Sequence, residues 1–457
     1  MGIDLSAPEL QAAIALVDAQ LAREQRDRKI PGLSAGIVYD QALIWQRGYG
    51  YANLEKQIPA DERSVYRVAS ITKLFTSTML MLLRDAGKVN LDDPIEKYLP
   101  EFRIKSGFAD ARPPTFRQVA SHAAGLPREG QQQRWATMDM PTSEELLASL
   151  ASSELHLPTM TEPKYSNLGI ALMGYALSKI AGVPYDQFVQ ERILQPLGMI
   201  DSSFERNRYG DDHYAVGYYA DQDVMKPSPY WQEHGFRPAG GMYSTVADIS
   251  RFIALQFSDA PAGGSQILGS STLREMHMPV NVTPDFNSGF GIGFGIQRVA
   301  NLKVIGHSGG LPGYTTNIAL VPSLKLAAIV FTNTGTEPVV ISHRMLEVLI
   351  PAVKHQFDPK PATAEQIGHW KPYIGRYAWL SMDDLLEVRM LNSQLTALIV
   401  GADPSTYIRL TPQGEHAFLM NGGSSNKELM RFEVDTSGKV THMWLGGYPY
   451  HRVEGEA

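Results

Sequence analysis

A change in sequence texture near residue 351 is the feature that most constrains how this chain can fold. Residues 351–366 carry three prolines and few large apolar side chains, which is typical of a linker. Short apolar runs separated by turn residues then continue to the end, at Leu385–Leu391, Leu395–Val400, Tyr407–Leu410, Glu428–Val434 and Val440–Leu445. Such runs indicate a small all-β barrel or sandwich. We therefore expect a first domain over residues 1–350, a linker over 351–366 and an all-β domain over 367–457.

The beginning of the first domain mixes helix and strand patterns. Apolar residues at helical spacing predict a helix over residues 7–28. Two strands are predicted next, Leu33–Tyr39 and Ala42–Gly50, around a short turn. A helix rich in Leu and Met is predicted from Ser70 to Ala86, and residues 88–240 are expected to form a mostly helical subdomain.

The rest of the first domain is predicted to return to β-structure. Four glycines alternate with apolar residues between Gly289 and Ile296, a period of two that predicts a strand with little side-chain bulk. Strands over Thr316–Val321 and Leu326–Thr332 and a last helix over Glu337–Ile350 follow.

Composition and charge exclude several kinds of function. The chain has no cysteine, which removes disulfides, thiolate catalysis and cysteine-ligated metals. Its net charge is −7 and it has no long basic run, so it lacks an electrostatic basis for nucleic-acid binding. The twelve histidines show no tight metal-ligand spacing, and no dinucleotide fingerprint is present, so no metal or cofactor is expected.

The sequence also shows no apolar run of the length that a membrane span needs. The first residues lack the basic and apolar segments of a secretory signal. We therefore expect a cytoplasmic location, or a periplasmic or secreted one if a signal peptide has been trimmed from the chain.

The first candidate catalytic motif is Ser70-Ile71-Thr72-Lys73 at the start of a predicted helix. Residues three apart lie on one helix face, so the lysine amine can reach the serine hydroxyl. A serine is a weak nucleophile without a base, and a lysine can act as that base only if its pKa is lowered. The alternative is a purely structural role, in which the serine caps the helix N-terminus and the lysine lies on the surface. The same pattern at Ser424–Lys427 falls in a turn and is interpreted as a solvated loop.

Two further motifs follow in order along the chain. Tyr165-Ser166-Asn167 offers a phenol that can pass protons and an amide that can hydrogen-bond both Lys73 and a substrate. His307-Ser308-Gly309-Gly310 offers a strand edge whose backbone N–H, for example that of Gly310, can pair with that of Ser70 as an oxyanion hole. Each motif alone is equally compatible with a helix cap or an ordinary loop.

The third motif contains a rival nucleophile. Residues 306–310 have the form G-x-S-x-G, which in α/β-hydrolases places a serine on a sharp turn between a strand and a helix. An esterase of that type would use Ser308. The residues after it, Leu311-Pro312-Gly313-Tyr314, are a poor start for a helix. The hypothesis that Ser308 is the nucleophile is therefore ranked below the hypothesis that Ser70 is.

The ordered motifs Ser70-x-x-Lys73, Tyr165-x-Asn167 and His307-x-Gly309 resemble those of the β-lactamase-related serine hydrolases. That family includes class C β-lactamases, penicillin-binding proteins, D-aminopeptidases and esterases. Three longer stretches support the resemblance over about residues 8–350: Phe116–Pro127, Leu194–Met199 and Ala239–Thr245. The C-terminal domain resembles the lipocalin-like barrels attached to some members.

The resemblance implies a fold that spacing alone would not provide. It implies an α+β fold, with a β-lactamase/transpeptidase-like antiparallel sheet that is flanked by helices and carries a helical subdomain. It also implies that Ser70 is acylated, that Lys73 and Tyr165 share base and acid duties, and that Asn167 steadies the substrate. His307 replaces the lysine that holds the substrate carboxylate in β-lactamases, so carboxylate anchoring is expected to be weaker.

The sequence therefore predicts a serine hydrolase that forms an acyl-enzyme and cleaves small esters, amides or peptides. An esterase or a D-amino-acid peptidase is ranked above a β-lactamase. The alternative of another class is a penicillin-binding sensor that is acylated without turnover. A homo-oligomer remains open at this stage.

Overall fold

The computed structural model describes residues 3–130, 135–206, 210–222, 224–257, 266–357, 362–380, 385–403, 406–422 and 425–453. The chain divides into two compact units, Met1–Gln356 and Phe357–Ala457. The boundary falls inside the segment predicted as a linker.

The helices of the described residues are α1 (Pro8–Asp27), α2 (Thr72–Asp85), α3 (Phe116–Ala120), α4 (Ser143–Leu150), α5 (Asn167–Ala181), α6 (Tyr185–Val189), α7 (Arg237–Gly240), α8 (Val246–Phe257), α9 (Ser270–Met276), α10 (Pro338–Phe357) and α11 (Ala364–Trp370). Short 3₁₀ turns occur at Ala69–Ile71, Ile95–Lys97, Asp211–His213, His234–Phe236, Pro322–Leu324 and Lys371–Tyr373, and a π-turn at Gln190–Leu194.

The strands of the first unit are β1 (Gly32–Tyr39), β2 (Ala42–Asn53), β3 (Ile58–Pro59), β4 (Tyr66–Arg67), β5 (Tyr218–Asp221), β6 (Val224–Pro227), β7 (Tyr243–Ser244), β8 (Asn281–Val282), β9 (Gly289–Phe290), β10 (Gly295–Val299), β11 (Leu302–Leu311), β12 (Tyr314–Val321) and β13 (Leu326–Thr332). Those of the second unit are β14 (Gly375–Ala378), β15 (Leu385–Leu391), β16 (Gln394–Ile399), β17 (Ile408–Pro412), β18 (Ala417–Asn421), β19 (Leu429–Val434), β20 (Val440–Leu445) and β21 (Tyr448–Arg452).

The first unit is organised around one antiparallel sheet, in which the described strands follow the order β3-β2-β1-β13-β12-β11-β10-β9-β8. Strands from the beginning and the end of the unit meet where β1 pairs with β13. Helices α1 and α10 pack on the sheet through one buried cluster, and α2 and α8 belong to a second, larger cluster. The α+β architecture with a helical region between the two sets of strands is thus confirmed.

The helix before the unit boundary differs from the prediction. It was expected to end at Ile350, but α10 continues through Pro351 to Phe357. Proline in a helix interior costs about 3 kcal/mol because it removes a hydrogen bond and crowds the preceding turn. Pro351 lies on the exposed side, while Val353, two residues later and on the opposite side of the helix, is fully buried. Packing of the apolar face therefore overrides the local signal, and the linker prediction was wrong for residues 351–357.

The glycine-rich alternation is also not one continuous strand. β9 ends at Phe290 and β10 begins at Gly295. Between them, Gly293 takes a φ of +81°, and a Cβ built on it would lie 2.5 Å from Ser77 Oγ on α2. The interruption lets this segment approach α2, which is a close contact that periodicity could not foresee.

The second unit is a closed barrel of the strands β14 to β21, in which β14 pairs with β21 to complete the circle. The all-β character of this region is confirmed. Five of its strands coincide closely with predicted runs, whereas β14, β18 and β21 were missed. The barrel interior is filled by its own apolar cluster, which includes Tyr377, Val388 and Met443. Closure leaves the described strands of this barrel without an unpaired edge for another chain to join.

Among the described residues, no single helix is long and apolar enough to cross a membrane. One pair, α5 with the segment Tyr185–Leu194, meets the length and composition criteria together, but it is bent by 76°.

Candidate active site

Ser70 lies on a strained turn that leads directly into α2. The residue before it, Ala69, has a φ of +49°, in the left-handed region that costs an L-residue about 1–2 kcal/mol. Two hydroxyls hold this turn, because Thr72 Oγ1 donates to the Ala69 carbonyl at 2.6 Å and Thr316 Oγ1 donates to the Val68 carbonyl at 2.9 Å. Strain that the surroundings maintain is common at functional sites.

The strand β11 runs beside the Ser70 turn at unusually short range. A Cβ built on Gly309 would lie 2.2 Å from the Val68 carbonyl oxygen and 2.3 Å from Thr316 Oγ1, so only glycine fits there. The next residue, Gly310, opens onto free space, since a Cβ on it would meet nothing within 4 Å. The third sequence motif is thus part of the wall that faces Ser70.

Lys73 is fully buried beneath the nucleophile candidate. Its Nζ lies 2.8 Å from Ser70 Oγ and 2.6 Å from the carbonyl oxygen of Ala239 on α7. Burial lowers the pKa of Lys73 from 10.5 to about 7, and the charge of Arg128 adds to the lowering while that of Glu129 opposes it. A lysine in this state is substantially neutral near pH 7 and can accept the serine proton.

Tyr165 completes the group around Ser70. The Ser70 side chain acts on its hydroxyl, and Lys73 Nζ lies 5.2 Å from the centre of its ring. Burial raises the pKa of Tyr165 to about 12, although Ser70 and Arg128 lower it. Tyr165 therefore keeps its proton at neutral pH, whereas Lys73 is ready to take one up.

His122, which the sequence suggested only as a loop-packing residue, supports Tyr165 directly. The two rings lie 4.3 Å apart, and the backbone N–H of Ser166 donates to His122 Nδ1 at 3.2 Å. Ser166 in turn caps α5, because its Oγ accepts from the backbone N–H of Gly169. Burial keeps the pKa of His122 well below its usual range, so the ring is neutral.

His307 lies on β11 with its ring nearly fully buried. Its Nδ1 lies 2.6 Å from the Ser308 carbonyl oxygen, so Nδ1 carries the proton and Nε2 is an acceptor. Burial, helped by the charge of Lys73, lowers the pKa of His307 to about 3. A neutral imidazole lacks the positive charge with which a lysine would attract a substrate carboxylate.

Asn167 is the one predicted site residue whose contact differs from the expectation. Lys73 was suggested as a partner, but Asn167 Nδ2 instead donates to Oε1 of Glu129 at 2.6 Å. Sequence reasoning missed Glu129 altogether. The stretch that supported the family resemblance, Phe116–Pro127, ends two residues before Glu129. A single charged residue in a polar loop matches no sequence motif, so nothing in the sequence pointed to Glu129.

The rival nucleophile, Ser308, lacks the geometry that its motif requires. Ser308 lies within β11, which continues to Leu311 and turns at Pro312-Gly313 into β12. This stretch is fully described, and it contains a hairpin rather than a strand, a sharp turn and a helix. The α/β-hydrolase alternative was therefore wrong about the structure of this segment.

The remaining predicted site residues converge on one cleft of about 1060 Å³. Its walls include Ser70, Tyr165, Asn167, His307, Gly309 and Gly310, while Lys73 reaches Ser70 from below. Within the described ranges, no group of three or more His, Asp or Glu side chains is arranged to hold a metal ion. The arrangement can activate a hydroxyl beside a buried amine and supply a proton from a nearby phenol.

Comparison with known proteins gives a family match for most of the chain. The model of the family described as Beta-lactamase matches residues 15–350. Two relatives from Dictyostelium discoideum are Beta-lactamase-like protein 2, 34% identical over 76% of this chain, and Beta-lactamase-like protein 4, 30% identical over 77%. The matches cover 64% and 65% of those two relatives, so this chain spans less than two thirds of their length.

Solved structures extend the comparison to the fold. An octameric penicillin-binding protein homologue from Pyrococcus abyssi aligns with a TM-score of 0.66 and 24% identity, covering 96% of this chain and 99% of that one. The D-amino acid amidase from Ochrobactrum anthropi aligns over 76% of this chain and 99% of its own, with a TM-score of 0.63 and 24% identity. The chain belongs to the beta-lactamase family.

Proposed function

We propose that this protein is a serine hydrolase that forms an acyl-enzyme on Ser70 and cleaves small esters or amides. The observation that carries the proposal is the contact of 2.8 Å between Ser70 Oγ and the fully buried Nζ of Lys73, whose pKa is lowered to about 7. A neutral amine within hydrogen-bond reach is what a serine hydroxyl needs to become a nucleophile.

The difference between the pKa values of Lys73 and Tyr165 assigns the role of base to Lys73 and the role of acid to Tyr165. Neutral Lys73 takes the Ser70 proton while Oγ forms a bond to the substrate carbonyl carbon, and the carbonyl electrons move to its oxygen. The backbone N–H groups of Ser70 and Gly310 stabilise that oxyanion. As the tetrahedral intermediate collapses, the leaving group takes a proton from Tyr165, which is protonated at neutral pH. Proton transfer from the Lys73 ammonium restores the phenol.

Deacylation repeats these steps with water. A water molecule gives its proton to Lys73 while its oxygen attacks the acyl carbon. The collapse of the second intermediate breaks the bond to Ser70 Oγ, which regains a proton through Lys73 or Tyr165. No cofactor enters this sequence, because only proton transfers and acyl transfer are required.

The substrate class is inferred from His307 and from the similar proteins. A neutral His307 gives no charge for the carboxylate that β-lactams carry, which favours esters and amides without one. Similar structures include the D-amino acid amidase and EstCE1, described as a hydrolase with promiscuous acyltransferase activity. Both kinds of substrate are compatible with a cleft of about 1060 Å³.

The test compares wild type with Ser70→Ala on a chromogenic short ester, a D-alanyl amide and a cephalosporin. We expect continuous release from the ester or the amide by wild type, a transient adduct mass on Ser70, and no release by Ser70→Ala. A single burst with a lasting adduct would instead support an acylated sensor. Ester release that survives Ser70→Ala would refute Ser70 as the nucleophile.

A further inference from the structure

The carboxylate of Glu129 has no role in the sequence of steps above, yet it lies in the same cleft. Glu129 lines the wall together with Ser70, Tyr165 and Asn167. Its side chain is only 11% exposed. An acidic side chain at this depth carries a considerable desolvation cost unless it has a suitable partner.

The partners that the described residues offer Glu129 compensate it only in part. Asn167 donates one hydrogen bond to Oε1 at 2.6 Å. The cation that approaches it most closely within the described ranges is Arg128, whose Nε lies 3.8 Å from Oε1. The Arg128 side chain is 63% exposed, and its guanidinium lies 5.0 Å from the centre of the Tyr165 ring. Lys73 contributes only a weaker attraction, and burial is the largest influence on Glu129, raising the pKa of its carboxyl.

A second, independent group in the cleft, the His307 imidazole, also lacks a hydrogen-bond donor. Nε2 of His307 is buried and has no hydrogen-bond partner among the residues that the structure describes. Because Nδ1 holds the ring proton against the Ser308 carbonyl, Nε2 can only accept. Two acceptors in one cleft, one of them ionisable, disfavour an anionic ligand and favour one that brings N–H donors and a positive charge.

We propose that Glu129 is a specificity-determining residue that selects esters or amides bearing an ammonium group near the scissile bond, such as derivatives of amino acids with a free amine. The proposal rests on the hydrolase function inferred above. In this arrangement the ammonium donates to the Glu129 carboxylate, while Asn167 holds that carboxylate in place. Arg128 stays at the solvent side, over the Tyr165 ring.

The decisive comparison uses alanine p-nitroanilide and its N-acetylated form, both enantiomers, at pH 7, where an α-amine with a pKa of about 7.7–8.0 is mostly protonated. The variant is Glu129→Gln, which keeps the side-chain shape and an oxygen that can accept from Asn167. We expect the ratio of kcat/KM for the free amine to that for the acetylated substrate to fall by about tenfold or more, since a charge-assisted hydrogen bond is lost. Glu24→Gln is the matched control and leaves the ratio unchanged, because it removes a carboxylate on α1 that is 19% exposed, is paired with Arg28 and lies outside the residues that line the cleft.

Binding measurements separate a failure of this proposal from a failure of the hydrolase function. In a Ser70→Ala background, calorimetric titration with alanine amide and N-acetylalanine amide measures selection without turnover. Tighter binding of the free amine that disappears with Glu129→Gln supports the proposal even if no substrate is hydrolysed. Equal losses for both ligands, or for both p-nitroanilides, would show that Glu129 only positions Asn167 and would overturn it. An unchanged ratio would overturn it as well.

Discussion

Replacing Lys73 with methionine tests the claim that the pKa of this lysine is lowered in the folded protein. Methionine is similar in length and carries no titratable group. Lys73 has an ordinary pKa of 10.5 in the unfolded chain and titrates at about 7 when folded. Between these values the unfolded chain binds more protons than the folded one, so the free energy of unfolding of the wild type rises with pH across that window.

The size of the effect follows from the two pKa values. Integrating the proton difference gives a gain of about 0.4 kcal/mol between pH 5 and 7 and about 2.3 kcal/mol between pH 7 and 9, to order of magnitude. Other groups titrate in both proteins and cancel in the difference. The free energy of unfolding of wild type relative to Lys73→Met is therefore expected to change little between pH 5 and 7 and to rise steeply between pH 7 and 9.

Urea denaturation at pH 5, 7 and 9 measures this difference. Circular dichroism at 222 nm is the suitable signal, because the long helices of the described chain belong to the first unit. Ser70→Ala is the matched control, since it removes the neighbouring hydroxyl but keeps the buried amine. Its free energy of unfolding is expected to follow that of wild type in parallel.

Parallel curves for wild type and Lys73→Met between pH 7 and 9 would refute the reasoning. That result would mean that Lys73 keeps an ordinary pKa in the folded protein. The buried amine would then be a permanent cation at neutral pH, and it could not be the base that activates Ser70.

Four further predictions address the chemistry of the site. The value of kcat/KM for a neutral ester is expected to rise with pH and level off with an apparent pKa near that of Lys73, about 7, and a flat stopped-flow profile from pH 5 to 9 would contradict this. Tyr165→Phe is expected to slow an anilide by about 10²–10⁴-fold but a p-nitrophenyl ester much less, because a good leaving group needs no acid; equal losses would assign Tyr165 another role. Gly309→Ala should cost about 1–3 kcal/mol of stability by urea titration and most of the activity, because its Cβ would lie 2.2 Å from a carbonyl oxygen, whereas Gly335→Ala meets nothing within 4 Å and serves as control. His307→Lys should improve substrates that carry a carboxylate relative to neutral esters, and an unchanged ratio of kcat/KM values would remove our reason for ranking β-lactams last.

The sequence by itself determined the features that depend on neighbours along the chain. The strand Leu326–Thr332 was predicted with its observed bounds, because its unbroken apolar run leaves little alternative. Ser70 and Lys73 could be placed on one face of a helix, since their spacing of three residues sets that geometry. The ordered motifs around Tyr165 and His307 then pointed to one family and one site.

Tertiary structure alone decided the contacts that give these residues their chemistry. The Ala239 carbonyl that receives Lys73 is 166 residues away in sequence, and the approach of Gly309 to Val68 joins two distant elements. Burial set the pKa of Lys73, and packing carried a helix through Pro351, against the local signal. Glu129 could not be recognised from any sequence pattern, because a carboxylate in a loop becomes distinctive only when the folded chain buries it away from water. Periodicity reports short-range preferences, whereas desolvation and close approach depend on what the whole chain brings together.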